Sequence, residues 1–555
     1  MTRINLPTKR QVGHLTLLRQ GRKLSLKEYN ALTTTEQLEM IRQAHGKQKY
    51  DLIINSDYAE TLTPQLHPQE LYLTVNELGA EYAIELLMLA SPEQIITLLD
   101  LDCWNRDSLS EVLSLHWLEL LLNTGEKQVC RLAKKIESEI WALFLKKHLT
   151  IIRGLEAYDD DDADNARRLE SIYDIEYASE NAAKIIGALL QIIWRHDQET
   201  YLLIMETIRS ENLSFLEEEV FQARNKRMLD LGLIPSVEAK SIYNYIDPAH
   251  FITGGKKNFK IEAEGLPHPG ALLARAEPDN LLAEVLTANL DHDLASELCL
   301  LVNRKMSADA TDLSSINDVT ESLQSIYDTL NLSLEYLAGE NLAKAEEVFQ
   351  QTYLLNLFQL GHSLIRQRQQ EAEKILQSPI GPLLDYPEQL FVDSLLQQPA
   401  CFYSVADDDH PSHLQPLTTM KTLKMVDQRL SQLAALQTLF CEMLPFSLPE
   451  ETDLSAEVPT LSILFLTAVA NQLLGRPFLP KPMTAVDILR LKEITIRQDN
   501  ISNNFQTQLY NLVNQLTDNC GFFIEFCLEC WKEDLSAAGS VQPGNGTPIC
   551  LLMEN

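Results

Sequence analysis

From Thr33 onward, apolar residues recur at helical spacing along most of the chain. Thr33-Thr-Thr-Glu36 has the spacing of a capping box, in which a hydroxyl accepts from an early backbone N–H and a glutamate reaches back. Leu38 and Ile41 follow on one helix face. Ser91-Pro-Glu-Gln94 is a stronger start, with serine at the N-cap, proline at the first helical position and glutamine three residues after the cap. Ile95, Leu98 and Leu99 form the stripe behind it. Gly125, after Trp117-Leu-Glu-Leu-Leu-Leu122, predicts a stop. Trp117, Leu120 and Leu121, like Tyr353, Leu357 and Leu360, read as core stripes. Alternating β-branched runs bounded by Asn-Gly or Asp-Gly are almost missing. The pattern predicts an all-α fold: a helical-hairpin, solenoid-like N-terminal region followed by further helical bundles.

A repeat is expected in that first region. Leu89-Ala-Ser-Pro-Glu-Gln-Ile-Ile-Thr-Leu-Leu is echoed 43 residues later from Leu132 to Phe144, and more distantly from Ala182 to Leu190. Helical-hairpin solenoids have periods of roughly 40–47 residues. Glycine and proline set the boundaries, with Pro248, Gly254, Gly255, Gly265, Pro267, Pro269, Gly270 and Pro278 crowded into one stretch. The expected division is a basic arm with the first helices (1–60), a helical-hairpin region (61–246), a Gly/Pro-rich connection (247–279), a block with a long helix (280–378), an irregular connection (379–416), a C-terminal bundle (417–535) and a flexible tail (536–555) whose apolar Ile549–Met553 is able to dock.

Several stretches carry a resemblance. Leu71-Tyr-Leu-Thr-Val-Asn-Glu-Leu-Gly-Ala-Glu-Tyr-Ala-Ile-Glu-Leu-Leu87 and Leu98-Leu-Asp-Leu-Asp-Cys-Trp104 resemble an uncharacterised bacterial family of long all-helical proteins, a domain of unknown function. So do Glu219 to Pro235, Tyr243-Asn-Tyr-Ile-Asp-Pro248 and Ala470-Asn-Gln-Leu-Leu-Gly-Arg-Pro477. This resemblance implies a helical fold and supplies no activity. More loosely, the N-terminal part is similar to the helical cytosolic N-domain of bacterial magnesium transporters. Their membrane pore has no counterpart here, because the most apolar stretches, Ile185–Trp194 and Leu461–Ala470, are shorter than the ~20 residues a bilayer core requires.

Charge refines the picture. The 555 residues hold 79 Asp and Glu against 46 Lys and Arg, a net charge of −33. Residues 1–27 contain seven basic side chains and no acidic one, so the remainder carries −40. The acidic body is unsuited to general nucleic-acid binding, which rests on Lys and Arg releasing counterions, or to broad adhesion to anionic lipid. The arm is suited to an anionic surface, or to the acidic body of its own chain or of a second copy. Leu15, Leu17, Leu18, Leu24 and Leu26 favour packing. Met1-Thr-Arg-Ile-Asn-Leu-Pro lacks the apolar core of a signal peptide, and nine cysteines without a framework fit reduced thiols, so a cytoplasmic location is expected.

Candidate chemistry is sparse. Cys520, Cys527 and Cys530, with Cys550 as a distant fourth, have some of the makings of a zinc site, but their apolar surroundings read as buried structural thiols. Asp159-Asp-Asp-Asp162 and Asp164 invite a divalent cation, yet lack the central glycine and distal glutamate of an EF-hand and read as a solvated run. His410 and His413 beside three aspartates, and Asp291-His292-Asp293, read as turn and surface residues. Phosphate loops, dinucleotide turns, nucleophile elbows and zinc-protease helices do not occur. No catalytic, cofactor-binding or metal-binding residue is assigned. The expected function is that of a non-catalytic, scaffold-like interaction or regulatory protein with a protein partner or self-association. The alternatives are an enzyme or metal-dependent protein using the acidic, His or Cys clusters, and attachment to an anionic surface through the arm.

Overall fold

A computed structural model describes residues 25–44, 46–105, 107–153, 173–256, 280–289, 292–313, 315–404, 413–449, 459–497, 500–537 and 550–553. The fold is all-α; strands among the described residues pair only into two-stranded antiparallel hairpins. The chain divides into two units, Met1–Asn244 with Ile252–Leu330 and Leu337–Gln359, and Tyr245–Phe251 with Asn331–Tyr336 and Leu360–Asn555.

In the first unit the helices are short and their starts are explicit. After α1 (Leu26–Asn30), Thr33 and Glu36 cap α2 (Thr34–Gln43) reciprocally, and α3 (Gly46–Ile54) and α4 (Ala59–Leu62) follow. Next come α5 (Pro68–Leu78), α6 (Ala80–Leu89) and α7 (Pro92–Asp102), the last opened by the Ser91–Gln94 box. A small hairpin, β1 (Trp104–Asn105) with β2 (Ser108–Leu109), leads into α8 (Glu111–Asn123), α9 (Glu126–Lys135) and α10 (Ser138–Lys146). Gly125 separates α8 from α9 at φ +92°, a left-handed conformation that a residue with a Cβ resists. A second hairpin, β3 (Leu149–Arg153) with β4 (Asp174–Tyr177), precedes α11 (Glu180–His196), α12 (Gln198–Ser210) and α13 (Leu213–Asp230). Helices pack on their next-but-one neighbours, α5 on α7, α6 on α8, α9 on α11 and α10 on α12. Leu71, Leu86, Leu98, Leu118, Leu132, Leu143, Ile186 and Ile204 are buried in the resulting core. Each such side chain contributes about 1.5–3 kcal/mol by leaving water.

The rest of this unit includes α14 (Ser236–Ala239), α15 (Leu281–Asn289), α16 (His292–Asp309), the first part of α17 (Ile316–Ala338), α18 (Leu342–Gln351) and the start of α19 (Leu354–Leu376). Gly232, at φ +79°, brings the chain so close to α16 that a Cβ there would lie 2.6 Å from Leu300 Cδ2. Asn303 on α16 donates to Leu231 O at 2.5 Å and exchanges amide bonds with Gln69.

In the second unit, α20 (Tyr386–Leu396), the hairpin β5 (Cys401–Ser404) with β6 (His413–Pro416), α21 (Met420–Thr438), α22 (Leu461–Leu473), α23 (Ala485–Thr495), the hairpin β7 (Ile496–Arg497) with β8 (Asn500–Ile501), α24 (Asn503–Asn514) and α25 (Gly521–Ala537) enclose an aromatic core. The Phe523 ring lies 5.7 Å from that of Phe440 and 5.5 Å from that of Phe465. Trp531 is fully buried, and its indole N–H donates to Thr495 Oγ1 at 3.0 Å. Residues 550–553 dock here. Leu551 is buried, Met483 donates its backbone N–H to Leu552 O at 2.8 Å, and Leu552 donates to Thr467 Oγ1 at 2.9 Å.

One ion pair is sealed inside the first unit. Lys49 on α3 bonds Glu70 on α5, each side chain only 3% exposed. A single survivor of such a pair is a buried charge without its counter-charge. Lys49→Met is therefore expected to lower unfolding stability by about 3–5 kcal/mol, and Lys49→Met with Glu70→Leu to recover most of it. Urea titration of both variants checks this; equal losses would remove the pair from the account.

Candidate functional site

Four of the stretches singled out in the sequence meet at the C-terminal end of α7. The last carbonyls of a helix have no partner within it. Arg224 on α13 supplies one, donating Nε to Asp100 O at 2.8 Å. One turn later on α13, Arg227 grips the Asp100 carboxylate, with Nε 2.6 Å from Oδ2 and Nη2 3.1 Å from Oδ1. The Arg224 guanidinium lies over the Trp104 ring, 5.5 Å from its centroid, and Phe221 packs on the same indole at 5.7 Å. Asp102 accepts from Tyr72 Oη at 2.8 Å and from Trp117 Nε1 at 2.6 Å. The α5, α7, α8 and α13 helices are thereby tied through two carboxylates spaced two residues apart.

Electrostatics define what this cluster can do. Burial pushes the Asp100 carboxyl above its usual range, and the bond and charge of Arg227 oppose that. Burial, then the charge of Asp102, raise the Tyr72 hydroxyl so that it stays a donor. Burial pushes the neighbouring Cys103 thiol well up, which removes its nucleophilic form. Asp100 is held by Arg227, and Asp102 by the Tyr72 phenol and the Trp117 indole, so the arrangement ties four helices together.

The cysteines resolve similarly. Cys527 and Cys530 lie on α25, and Cys550 is laid against the same helix, its backbone N–H donating to the Asp534 carboxylate. Cys520, Cys527 and Cys550 are buried. Burial pushes Cys520 up to about 11 and Cys530 up to about 12, and raises Cys527 and Cys550 too. Among the described residues no group of three or more His, Cys, Asp or Glu side chains is placed to hold a metal. Asp159–Asp164, Asp291 and His410 lie outside the described residues; His292 and Asp293 open α16, and His413 opens β6.

Other buried carboxylates are structural. Asp385 accepts from the Ser462 N–H at 3.1 Å and from its hydroxyl at 2.5 Å, capping α22. Glu388 pairs with Arg429 at 2.5 Å, and that guanidinium lies 4.8 Å from the Phe522 ring centroid. Burial raises both carboxyls. Sequence reasoning assigned no role to Arg224, Arg227 or Tyr72. The available signal was an Arg-x-x-Arg face on one helix and an Asp-x-Asp end on another, more than a hundred residues apart.

Two measurements follow from this geometry. Arg227→Met strands the Asp100 carboxylate, and a loss of about 2–3 kcal/mol in unfolding stability is expected, largely restored by adding Asp100→Asn; no recovery in the double variant would contradict the pairing. Asp328 on α17 titrates differently. Burial lifts its carboxyl from 3.8 to about 6, partly offset by the Gln324 amide. The folded chain thus holds this proton longer than the unfolded chain does, so the stabilisation is full below pH 3.8 and fades as pH rises through about 6. Asp328→Asn should flatten that decline, by at most about 3 kcal/mol, and parallel pH–stability curves would refute it.

The chain matches the model of a family of unknown function, DUF6178, over residues 26–553. No curated protein and no solved structure matches it. The end of α7, its partner helix α13 and the docked segment 550–553 all fall within the matched span. With nearly the whole length covered, the chain belongs to this DUF6178 family of unknown function.

Proposed function

We propose that this protein is a non-catalytic cytoplasmic interaction protein that offers helix surface to a protein partner. The observation that carries the reading is how the two kinds of side chain are used. The ionisable clusters are bonded to other parts of the same chain, as at Asp100, Asp102, Glu70, Asp385 and Glu388. Large apolar side chains stand in solvent on helices of both units, among them Val112, Phe215, Tyr386, Val486 and Leu489. Scattered exposed apolar residues are ordinary, but grouped ones mark contact surfaces. An array of short helices packed on their next-but-one neighbours supplies extended surface of this kind. No helix among the described residues is long and apolar enough to cross a membrane. The unframed scatter of nine cysteines supports the cytoplasm.

Affinity capture with the full chain is expected to yield a protein that co-elutes with it at fixed stoichiometry in gel filtration. A chain that elutes alone, and that consumes a small molecule in untargeted metabolite profiling, would overturn this assignment.

A further inference from the structure

Residues 550–553 sit in the second unit as a bound peptide would. Three groups from three elements hold their backbone. The Asp534 carboxylate on α25 accepts from the Cys550 N–H. Thr467 Oγ1 on α22 accepts from the Leu552 N–H at 2.9 Å, while its own proton goes to Ile463 O at 2.7 Å. Met483, ahead of α23, donates its N–H to Leu552 O at 2.8 Å and pairs with Met553 in a parallel bridge. The two donated N–H groups belong to residues two apart, which is the period of an extended strand. Leu551 between them is 3% exposed, and Leu552 and Met553 are half-buried. Met483 and Thr467, which receive the segment, are fully buried. The contact is nonetheless small. Ordering four residues costs backbone entropy that three hydrogen bonds and the burial of Cys550 and Leu551 offset without a large surplus. This occupant is therefore separable from its seat in a way that two packed helices are not.

We propose that α22, α25 and the residues before α23 form a peptide-binding groove, which the chain's own segment 550–553 occupies and blocks. The partner it takes is an extended segment of another protein, and its chemistry is read from the present occupant. A leucine-sized apolar side chain fills the place of Leu551, and the residues on either side each present a backbone N–H. Proline is excluded at both of those flanking positions, because Asp534 and Thr467 Oγ1 meet the segment as acceptors only. This proposal rests on the interaction reading above, and adds to it the form of the partner and a competitor within the same chain.

The test uses the full chain and a fluorescein-labelled peptide, Ile-Cys-Leu-Leu-Met, followed by anisotropy. Leu551→Asp places a charge where the chain's own segment must be buried, so it empties the groove without altering its walls. This variant should bind the peptide roughly tenfold or more tightly than the wild type, whose groove is filled. The Met483 amide, bonded to Leu552 O in the wild type, should exchange hydrogen faster in the variant and be protected again by the peptide. Peptides with proline as the fourth residue, or aspartate as the third, should bind the variant roughly tenfold or more weakly. Leu551→Ser repeats the comparison with a milder change. Equal affinity of wild type and variant would overturn the proposal. Loss of folding in both variants would also overturn it, by making the segment part of the core and not a ligand of it. Dissociation of a wild-type dimer by the peptide would overturn the partner, by making a second copy's segment the occupant. If the groove fails in any of these ways while a captured protein still co-elutes, the interaction reading stands without it.

Discussion

A fold made of short helices has many helix ends, and each end inside a core exposes carbonyls that the helix itself cannot satisfy. Leaving one unpaired costs as much as a lost hydrogen bond, so the packing of this protein depends on donors delivered from elsewhere. Three buried glutamines do this in the same way. Gln37 donates Nε2 to Tyr29 O and Leu32 O, both at 3.1 Å. Gln94 donates to Thr63 O at 2.9 Å and Leu66 O at 2.7 Å. Gln128 donates to Leu87 O at 2.9 Å and Ala90 O at 3.1 Å. Arg224 at Asp100 O and Asn303 at Leu231 O extend the device to charged and short side chains. In the second unit Asn471 donates to Thr467 O, Leu479 O and Lys481 O, fixing the loop between α22 and α23.

The same constraint shows in how several buried ionisable groups are used. The Asp100 carboxylate is engaged by the same helix whose Arg224 closes the α7 end, and Asp385 does for the start of α22 what Arg224 does for the end of α7. Arg476 joins the scheme by bonding Asp487, the carboxylate that caps α23, at 2.8 Å. At each of these sites a polar side chain joins one element to another.

Much of the helical architecture was legible because its signals are local. The Thr33–Glu36 and Ser91–Gln94 boxes form as their spacing predicts, and Gly125 punctuates two helices. The apolar setting of Cys520, Cys527 and Cys530 pointed to buried thiols; Cys520 and Cys527 are buried and Cys530 is half-buried. The hairpins were not legible. β3 and β4 are separated by residues 154–173, and Leu149-Thr-Ile-Ile-Arg is too short for a period-2 pattern to stand out. The α7 cluster was hidden for a different reason. Tyr72 and Asp102, or Asp100 and Arg227, have no sequence relation that periodicity can register, and only tertiary packing makes them neighbours. Stretches such as Leu98–Trp104 signalled kinship without role, since residues that hold helices together and residues that catalyse look alike in one sequence.

The glutamine clamps make this sequence unevenly tolerant of change. Glutamate has the size of glutamine and a similar helix propensity, so the exchange is ordinarily mild. At Gln94 the amide oxygen accepts from the Ser91 N–H while the amide nitrogen serves two carbonyls. A carboxylate there keeps the first bond and turns the other end into an acceptor facing two acceptors, with a buried charge added. Gln94→Glu would leave the Thr63 and Leu66 carbonyls at that buried helix end without their donor. A conservative exchange of glutamine is thus tolerated on the surface and costly at these few core positions.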